Sequence, residues 1–201
     1  MSRLRRRQDR DDFLAAHLLV RVCVARLLSV APEDVSIVQR CPTCGGPHGR
    51  PEVAGHPGVG ASLAHSRGVV AAAAGTVAVG VDVEAVPPAG DPTAGDLTAS
   101  DLSVALTAAE IAAIEASADP SRALRLVWVR KEACLKAGLV DLDGLRGFDL
   151  STLPLDPAAG ELMLRVAPFG GWAVHDWWDP RSGAVGVVAA PAGTEVTLAG
   201  P

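Results

Sequence analysis

The segment from Val77 to Glu84, which reads VAVGVDVE, constrains the fold more than any other part of the chain. Valine occupies every second position, which is the side-chain period of a β-strand. In this pattern the valines lie on one face, whereas Gly80, Asp82 and Glu84 share the other. Carboxylates are rarely buried unless they are paired or bind a cation. The segment therefore predicts a buried strand whose two acids either face a divalent cation or enter solvent as the strand ends.

The composition is that of a globular protein. The chain has 201 residues, about half of them apolar, with a formal net charge of -5. This charge gives no general reason to expect nucleic-acid binding. The basic N-terminus is not followed by the apolar stretch of a secretory signal, and the longest apolar run ends in acids, unlike a membrane span. We expect a cytoplasmic protein with reduced cysteines and with neither a nucleic-acid nor a membrane partner.

Composition divides the chain into two parts. Residues 1–86 form a predicted N-terminal half that holds a helix, strands and the first acidic motif. Residues 87–105 are rich in proline, glycine, alanine and aspartate, which is typical of a linker. Residues 106–201 form a predicted C-terminal half with helices followed by strands. We therefore predict an α+β fold in which each half has a small antiparallel sheet packed on helices.

Local patterns define the elements of each half. Apolar residues at helical spacing predict a first helix from about Asp12 to Ser29. Thr107 and Glu110 have the spacing of a capping box, and the next helix pattern ends near Gly138. Strands are predicted at residues 35–40, 162–166, 171–178 and 184–190.

The motif WVRKEACLKAG, residues 128–138, carries the second group of charges. Glu132 and Lys136 lie four residues apart and share a helix face, with Lys131 beside them. Lys131 and Lys136 are the two lysines among 18 basic residues, so their compact ammonium groups suggest a chemical role. The glutamate could complete a Mg²⁺ site and the lysine could neutralise phosphate oxygens. The alternative is an ordinary surface ion pair.

Two shorter motifs are weaker signals. His65 and Ser66 follow a short apolar stretch and form either a ligand contact or an ordinary turn. Cys41 and Cys44 have C-x-x-C spacing, with His48 as a possible third ligand of zinc. No second C-x-x-C pair exists, so a structural zinc site and a pair of plain thiols both stay open.

In this order the motifs resemble the 4′-phosphopantetheinyl transferases of the surfactin-synthetase-activating type. The family has a G-[IV]-D-[IV]-E strand and a W-x-x-K-E-A-x-x-K helix, matched by residues 80–84 and 128–136. Upstream, its G-[KR]-P turn and S-x-S-H-S element resemble residues 49–51 and 62–66, although Ala64 replaces a serine. The similarity runs from about Arg7 to Pro191. The N-terminus is shorter than is usual in the family.

The resemblance implies a fold of two pseudo-symmetric halves with the active site between them. Such enzymes transfer the phosphopantetheine arm of coenzyme A to a serine of an acyl or peptidyl carrier protein, in fatty-acid or secondary-metabolite synthesis. They release 3′,5′-ADP, depend on Mg²⁺ and tend to act as monomers. With the shortened N-terminus, the alternative is a truncated, non-catalytic paralogue that binds coenzyme A or a carrier protein.

The resemblance also implies roles for individual residues. Asp82, Glu84 and Glu132 would hold Mg²⁺, and Glu132, directly or through a water, would be the base for the carrier serine. Lys136 would contact the pyrophosphate and stabilise or protonate the leaving group. The remaining coenzyme A ligands would be Arg50, His65, Ser66 and Lys131.

Overall fold

A computed structural model describes residues 7–41, 44–85, 98, 102, 104–155 and 164–198. Within these residues the chain is mixed α and β, with two antiparallel sheets. The helices are α1 (Arg7–Leu28), α2 (Ala108–Glu115) and α3 (Pro120–Ala137), with 3-10 turns at Pro32–Asp34 and Leu145–Gly147. The strands are β1 (Ile37–Gln39), β2 (Pro51–Val53), β3 (Gly60–Ser66), β4 (Val69–Gly75), β5 (Gly80–Ala85), β6 (Arg165–Phe169), β7 (Trp172–Asp179) and β8 (Ala184–Pro191).

The first sheet has the strand order β1-β2-β3-β4, and α1 packs against it. A two-residue turn joins β3 to β4, and both of its residues, Arg67 and Gly68, have a positive φ. Such turns match the twist of a hairpin. The amide of Gly68 donates to a carboxylate oxygen of Asp12 at 2.7 Å, which fixes α1 against the hairpin. The alanine-rich β4 presents small side chains, so the helix can lie close to the sheet.

The second sheet has the order β5-β8-β7-β6, and α3 packs across it. The strand with the first acidic motif thus pairs with β8, in a register that sets Asp82 opposite Val187. Residues 80–85, predicted in the N-terminal half, belong by their backbone hydrogen bonds to the sheet of the C-terminal half. The α+β class and the antiparallel sheets are confirmed. The pseudo-symmetry of the halves stays a prediction.

Serine hydroxyls link β5 to the first sheet. The hydroxyl of Ser62 accepts a hydrogen bond from the amide of Val81 at 2.9 Å, and that of Ser66 accepts one from Ala85 at 3.3 Å. Val81 and Val83 are buried against side chains of both sheets. The valine face predicted from the alternation is therefore the core side of β5, and its other face is turned towards α3.

Both predicted helix boundaries in the second half are confirmed. Thr107 and Glu110 form a complete capping box at the start of α2. Gly138 ends α3 in the left-handed conformation, with φ 79. Side chains of α3 such as Val129 and Ala133 are fully buried against the second sheet. This packing fixes the helix face that carries the charged motif.

Some predicted segments differ from the structure or lie outside the described residues. β5 begins at Gly80 rather than at Val77, and its ladder with β8 ends where Gly80 lies opposite Ala189. The strand predicted at 162–166 is observed at Arg165–Phe169, and residues 162–163 are not described. Most of the predicted linker, 87–105, also lies outside the described residues. No helix in the described part has the length and apolar character needed to cross a membrane.

Candidate active site

A glycine allows the two charged motifs to meet. Gly80 lies where β5 crosses α3, and a side-chain carbon there would overlap the carbonyl oxygen of Ala133. Because glycine has no such carbon, the strand lies directly against the helix backbone. Asp82 then projects from β5 towards the helix turn that carries Glu132 and Lys136. The predicted site residues of the two motifs are thereby brought together.

The shortest contact of this cluster is an ion pair. The ammonium nitrogen of Lys136 lies 2.6 Å from Oδ1 of Asp82. The lysine side chain is 31% exposed and the aspartate side chain 11%, so the pair is largely shielded from water. Ion pairs in such surroundings are less screened than surface pairs. Lys136 thus places a positive charge in direct contact with Asp82.

Burial disfavours the ionised form of three acids, Asp82, Glu84 and Glu132, and the charge of Asp82 adds to this effect for the two glutamates. The pKa of Asp82 is raised by burial, although Lys136 opposes that effect. Burial also raises the pKa of Glu84 and of Glu132, and the charge of Asp82 adds to both shifts. Each acid thus has a higher pKa than in water, and an added cation would favour its ionised form.

The upstream motif supports this cluster from β3. A hydrogen bond from Ser66 to Glu84 favours the ionised carboxylate and partly offsets the raised pKa of that acid. Ser66 therefore positions Glu84 in addition to accepting the amide of Ala85. His65 lies near enough for its charge to lower the pKa of Asp82, as the smallest of several effects. The aromatic ring of Phe13 packs edge-on against His65, with ring centres 6.3 Å apart.

A cavity of about 330 Å³ opens beside Lys136. Its lining also includes Arg50, Ser62 and Leu135. The Arg50 guanidinium lies against Gly138, at the C-terminal end of α3, where the helix dipole favours a positive charge. Small-molecule pockets typically start at about 300 Å³. The cavity therefore has the volume for part of a ligand and two cations for an anionic one.

Lys131 lies outside this cluster, which corrects its assignment as a coenzyme A ligand. Its side chain is fully buried, and its ammonium lies 2.9 Å from a carboxylate oxygen of Glu110. It also donates to the carbonyl oxygens of Ala105, Leu145 and Phe148 at 2.7 to 2.9 Å. With four oxygen partners and no exposed surface, this ammonium is unavailable to a pyrophosphate. Its role is to join α3 to α2 and to the segment after α3.

The structure adds two charged residues that the sequence did not single out. The charges of Arg67 and Arg125 both lower the pKa of Glu84, behind the effects of burial, Ser66 and Asp82. Arg125 is 5% exposed and donates to the hydroxyl and the carbonyl of Ser121. It precedes Glu132 by seven residues, which is about two helical turns, so helical spacing could have placed it on the same face.

The donor chemistry of the site fits a hard divalent cation. Asp82, Glu84 and Glu132 offer only oxygen ligands, which Mg²⁺ prefers, together with water and phosphate. The raised pKa values have the same implication, since a cation would offset the repulsion between the acids. Among the described residues, a group of His, Cys, Asp or Glu side chains whose ligand atoms all lie within 4.8 Å of one another is formed by Cys41, Cys44 and His48. The oxygen atoms of the three carboxylates are farther apart than this.

Comparison with known families adds an independent finding. The family model described as the 4′-phosphopantetheinyl transferase superfamily matches residues 78–188, more than half of the chain. The matched region includes β5 and α3 with both acidic motifs, whereas Arg50 and His65 lie upstream of it. No curated protein matches the chain.

Proposed function

Because the chain belongs to the 4′-phosphopantetheinyl transferase superfamily, we propose that it transfers phosphopantetheine from coenzyme A to a serine of a carrier protein. The reaction would release 3′,5′-ADP. We further propose the surfactin-synthetase-activating type, because the motifs upstream of β5 resemble that group. A cytoplasmic location and a monomeric state stay predictions from the sequence.

One observation carries the proposal: a cavity lined by two cationic side chains adjoins a partly buried group of acids. Arg50 and Lys136 line the cavity, and Lys136 also pairs with Asp82. A pyrophosphate bridged between cationic side chains and a metal held by carboxylates needs both features side by side. The coenzyme A phosphates would therefore lie along the cavity, with the pyrophosphate nearest Lys136.

Asp82, Glu84 and Glu132 would hold Mg²⁺. The ion would neutralise negative charge on the pyrophosphate oxygens when bound. Lys136 would move from Asp82 to the phosphate, because the aspartate would then have the metal as its partner. Ser66 would keep Glu84 oriented through the hydrogen bond described above.

The reaction requires a base for the serine proton and a cation at the leaving group, roles that Glu132 and Lys136 would fill. The carrier serine oxygen attacks the phosphorus next to the pantetheine arm, and the bond from that phosphorus to the ADP oxygen breaks. Glu132, partly exposed beside Asp82, would accept the serine proton. Lys136 would neutralise or protonate the ADP oxygen that leaves. His65 and Arg50 would bind the remaining phosphates of coenzyme A.

A carrier-loading assay tests the proposal. The full chain is incubated with coenzyme A, Mg²⁺ and an apo acyl or peptidyl carrier domain, and the mass of the carrier is measured by mass spectrometry. We expect a gain of one phosphopantetheine group. Glu132→Gln should slow loading by about 10²- to 10⁴-fold, the usual effect of removing a general base. Glu115→Gln, at an exposed acid of α2, is the matched control and should load at the wild-type rate.

A thermal-unfolding measurement made beside the loading assay separates the alternatives. Coenzyme A that raises the melting temperature of the chain without any carrier loading would favour a non-catalytic paralogue that binds coenzyme A. Stabilisation by a carrier domain alone would favour the carrier-binding form of that alternative. Full activity of Glu132→Gln would show that the acid assignment is incorrect even if the transferase activity is real.

A further inference from the structure

We propose that Cys41, Cys44 and His48 form a zinc site in the loop between β1 and β2. Their two sulfur atoms and one imidazole nitrogen all lie within 4.8 Å of one another. Thiolate and imidazole are the ligands that zinc prefers, whereas Mg²⁺ takes oxygen. The site is therefore distinct in chemistry and in position from the acidic cluster between β5 and α3.

The distances already approach those of a tetrahedral zinc centre. Sγ of Cys44 and Nε2 of His48 lie 3.0 Å apart. Zn–S and Zn–N bonds of 2.3 and 2.0 Å at a tetrahedral angle would separate these atoms by about 3.5 Å. Bringing a zinc ion between them therefore requires the pair to open by roughly half an ångström. Both side chains are exposed, so this small movement is open to them.

Backbone hydrogen bonds in the described part of the loop, residues 41 and 44–48, hold the three side chains near one another. The amide of Cys41 donates to the carbonyl of Gly46, and the amide of Gly45 donates back to the carbonyl of Cys41. The amide of Gly46 also lies 3.4 Å from Sγ of Cys44, where it would stabilise a thiolate. A side chain at Gly46 would press on both Cys44 and His48, at 3.1 to 3.2 Å. The glycine keeps the space between the ligands clear.

The loop leads directly into the cavity beside Lys136. Gly49, with φ 114, lies against the backbone of Arg40 and is followed by Arg50, which lines that cavity. The side-chain amide of Gln39 donates to the carbonyl of Gly49 at 2.8 Å. A zinc ion bound by Cys41 and His48 would link the two ends of the 41–48 segment. It would thereby restrict the position of Arg50, which lies two residues after the segment. Three protein ligands leave one coordination position for water or another small ligand.

Metal content under reducing conditions tests the site directly. The full chain, freed of metal by a chelator that is then removed, is titrated with Zn²⁺ against a chromophoric competitor. We expect about one tightly held zinc ion per chain. Co²⁺ in its place should show thiolate-to-cobalt charge-transfer absorption and the visible bands of a tetrahedral ion. Neither readout depends on transferase activity.

Variants locate the ligands. Cys41→Ser and His48→Ala should each reduce the retained zinc at least about tenfold. His48→Cys, which supplies a different zinc ligand at the same place, should restore it. Cys23→Ser is the control, because Cys23 lies on α1 away from the loop, and it should bind zinc as wild type does. Circular dichroism of each variant verifies that the chain is folded.

Two outcomes would overturn the proposal. One is zinc retention that is unchanged in Cys41→Ser and His48→Ala. The other is a reduced, folded wild-type chain that takes up no zinc. A Cys41–Cys44 disulfide that forms in air and leaves two of the four thiols titratable, with no zinc bound after reduction, would be an instance of the second outcome.

Discussion

The ion pair between Lys136 and Asp82 should make a measurable contribution to stability that depends on both partners. In Lys136→Met, the Asp82 carboxylate keeps its buried position but loses the cation 2.6 Å away. In Asp82→Asn, the lysine loses its partner but is 31% exposed and can reach water. We therefore expect the lysine variant to be the less stable of the two. The double variant should be more stable than the sum of the single losses predicts.

The exposed fractions of the Lys136 and Asp82 side chains determine how large the coupling free energy of the pair should be. Exposed pairs contribute about 0–1 kcal/mol, whereas breaking a fully buried pair costs about 3–5 kcal/mol. With side chains 31% and 11% exposed, this pair lies between those limits. We expect a coupling free energy of about 2 kcal/mol from the double-mutant cycle. For a chain of this size, Lys136→Met should then lower the melting temperature by about 4–8 °C.

The pH dependence follows from the raised pKa of Asp82, which burial causes and Lys136 opposes. A carboxyl that binds its proton more tightly in the folded state loses stability as the pH rises above its unfolded pKa. Removing Lys136 raises that pKa further, so the variant should lose more stability than wild type over this range. The difference between the two should thus grow as the pH rises above about 4, the ordinary pKa of an aspartate.

Urea unfolding of the four proteins, with a chelator present so that no divalent ion binds, measures both effects. A coupling below about 0.3 kcal/mol would mean that the pair is not formed in solution. A stability difference that shrinks as the pH rises would contradict the assignment of Asp82 as the group responsible.

Three further variants test separate parts of the structure. Glu132→Gln should raise the free energy of unfolding at neutral pH without metal, because burial and Asp82 disfavour the charged acid more than Lys136 favours it. A loss of stability measured by urea unfolding would contradict this. Gly80→Ala should destabilise the protein by about 1–3 kcal/mol, because the added carbon overlaps Ala133 on α3. A wild-type melting temperature would show that strand and helix are not in contact. Lys131→Met should cost about 3–5 kcal/mol, because the buried Glu110 carboxylate keeps its backbone amide donors but loses the cation 2.9 Å away. A second change of that glutamate to glutamine should recover part of the loss.

Local sequence patterns were sufficient to predict those features of the fold that neighbouring residues determine. The capping box of α2 and the glycine that ends α3 were predicted correctly, because a few neighbouring residues determine each helix end. The alternation in β5 also predicted which face is apolar and which carries the acids. Residues at positions of one strand have fixed relative directions, whatever the strand pairs with.

Long-range pairing was beyond the sequence. Nothing local to β5 indicates that it pairs with β8, so the boundary at residue 86 separated a strand from its own sheet. Helical geometry places Lys131 about 100° from Glu132, but the sequence does not show which distant residues face it. Lys131 faces Glu110 and the interior, whereas Glu132 and Lys136 face β5. The fold, and not the motif, decides which lysine meets the acids.

The pairing of β5 with β8 has a consequence for how the chain is made. β5 is synthesised about a hundred residues before β8, and closing such a long loop is slow. Until the C-terminal hairpin emerges from the ribosome, the backbone groups of β5 that pair with β8 have no partner there. This edge of the valine-rich strand can then bind other strands. The serine hydroxyls of Ser62 and Ser66 contact its opposite edge and leave this one open. Nascent chains stopped before β8 should therefore be prone to aggregation.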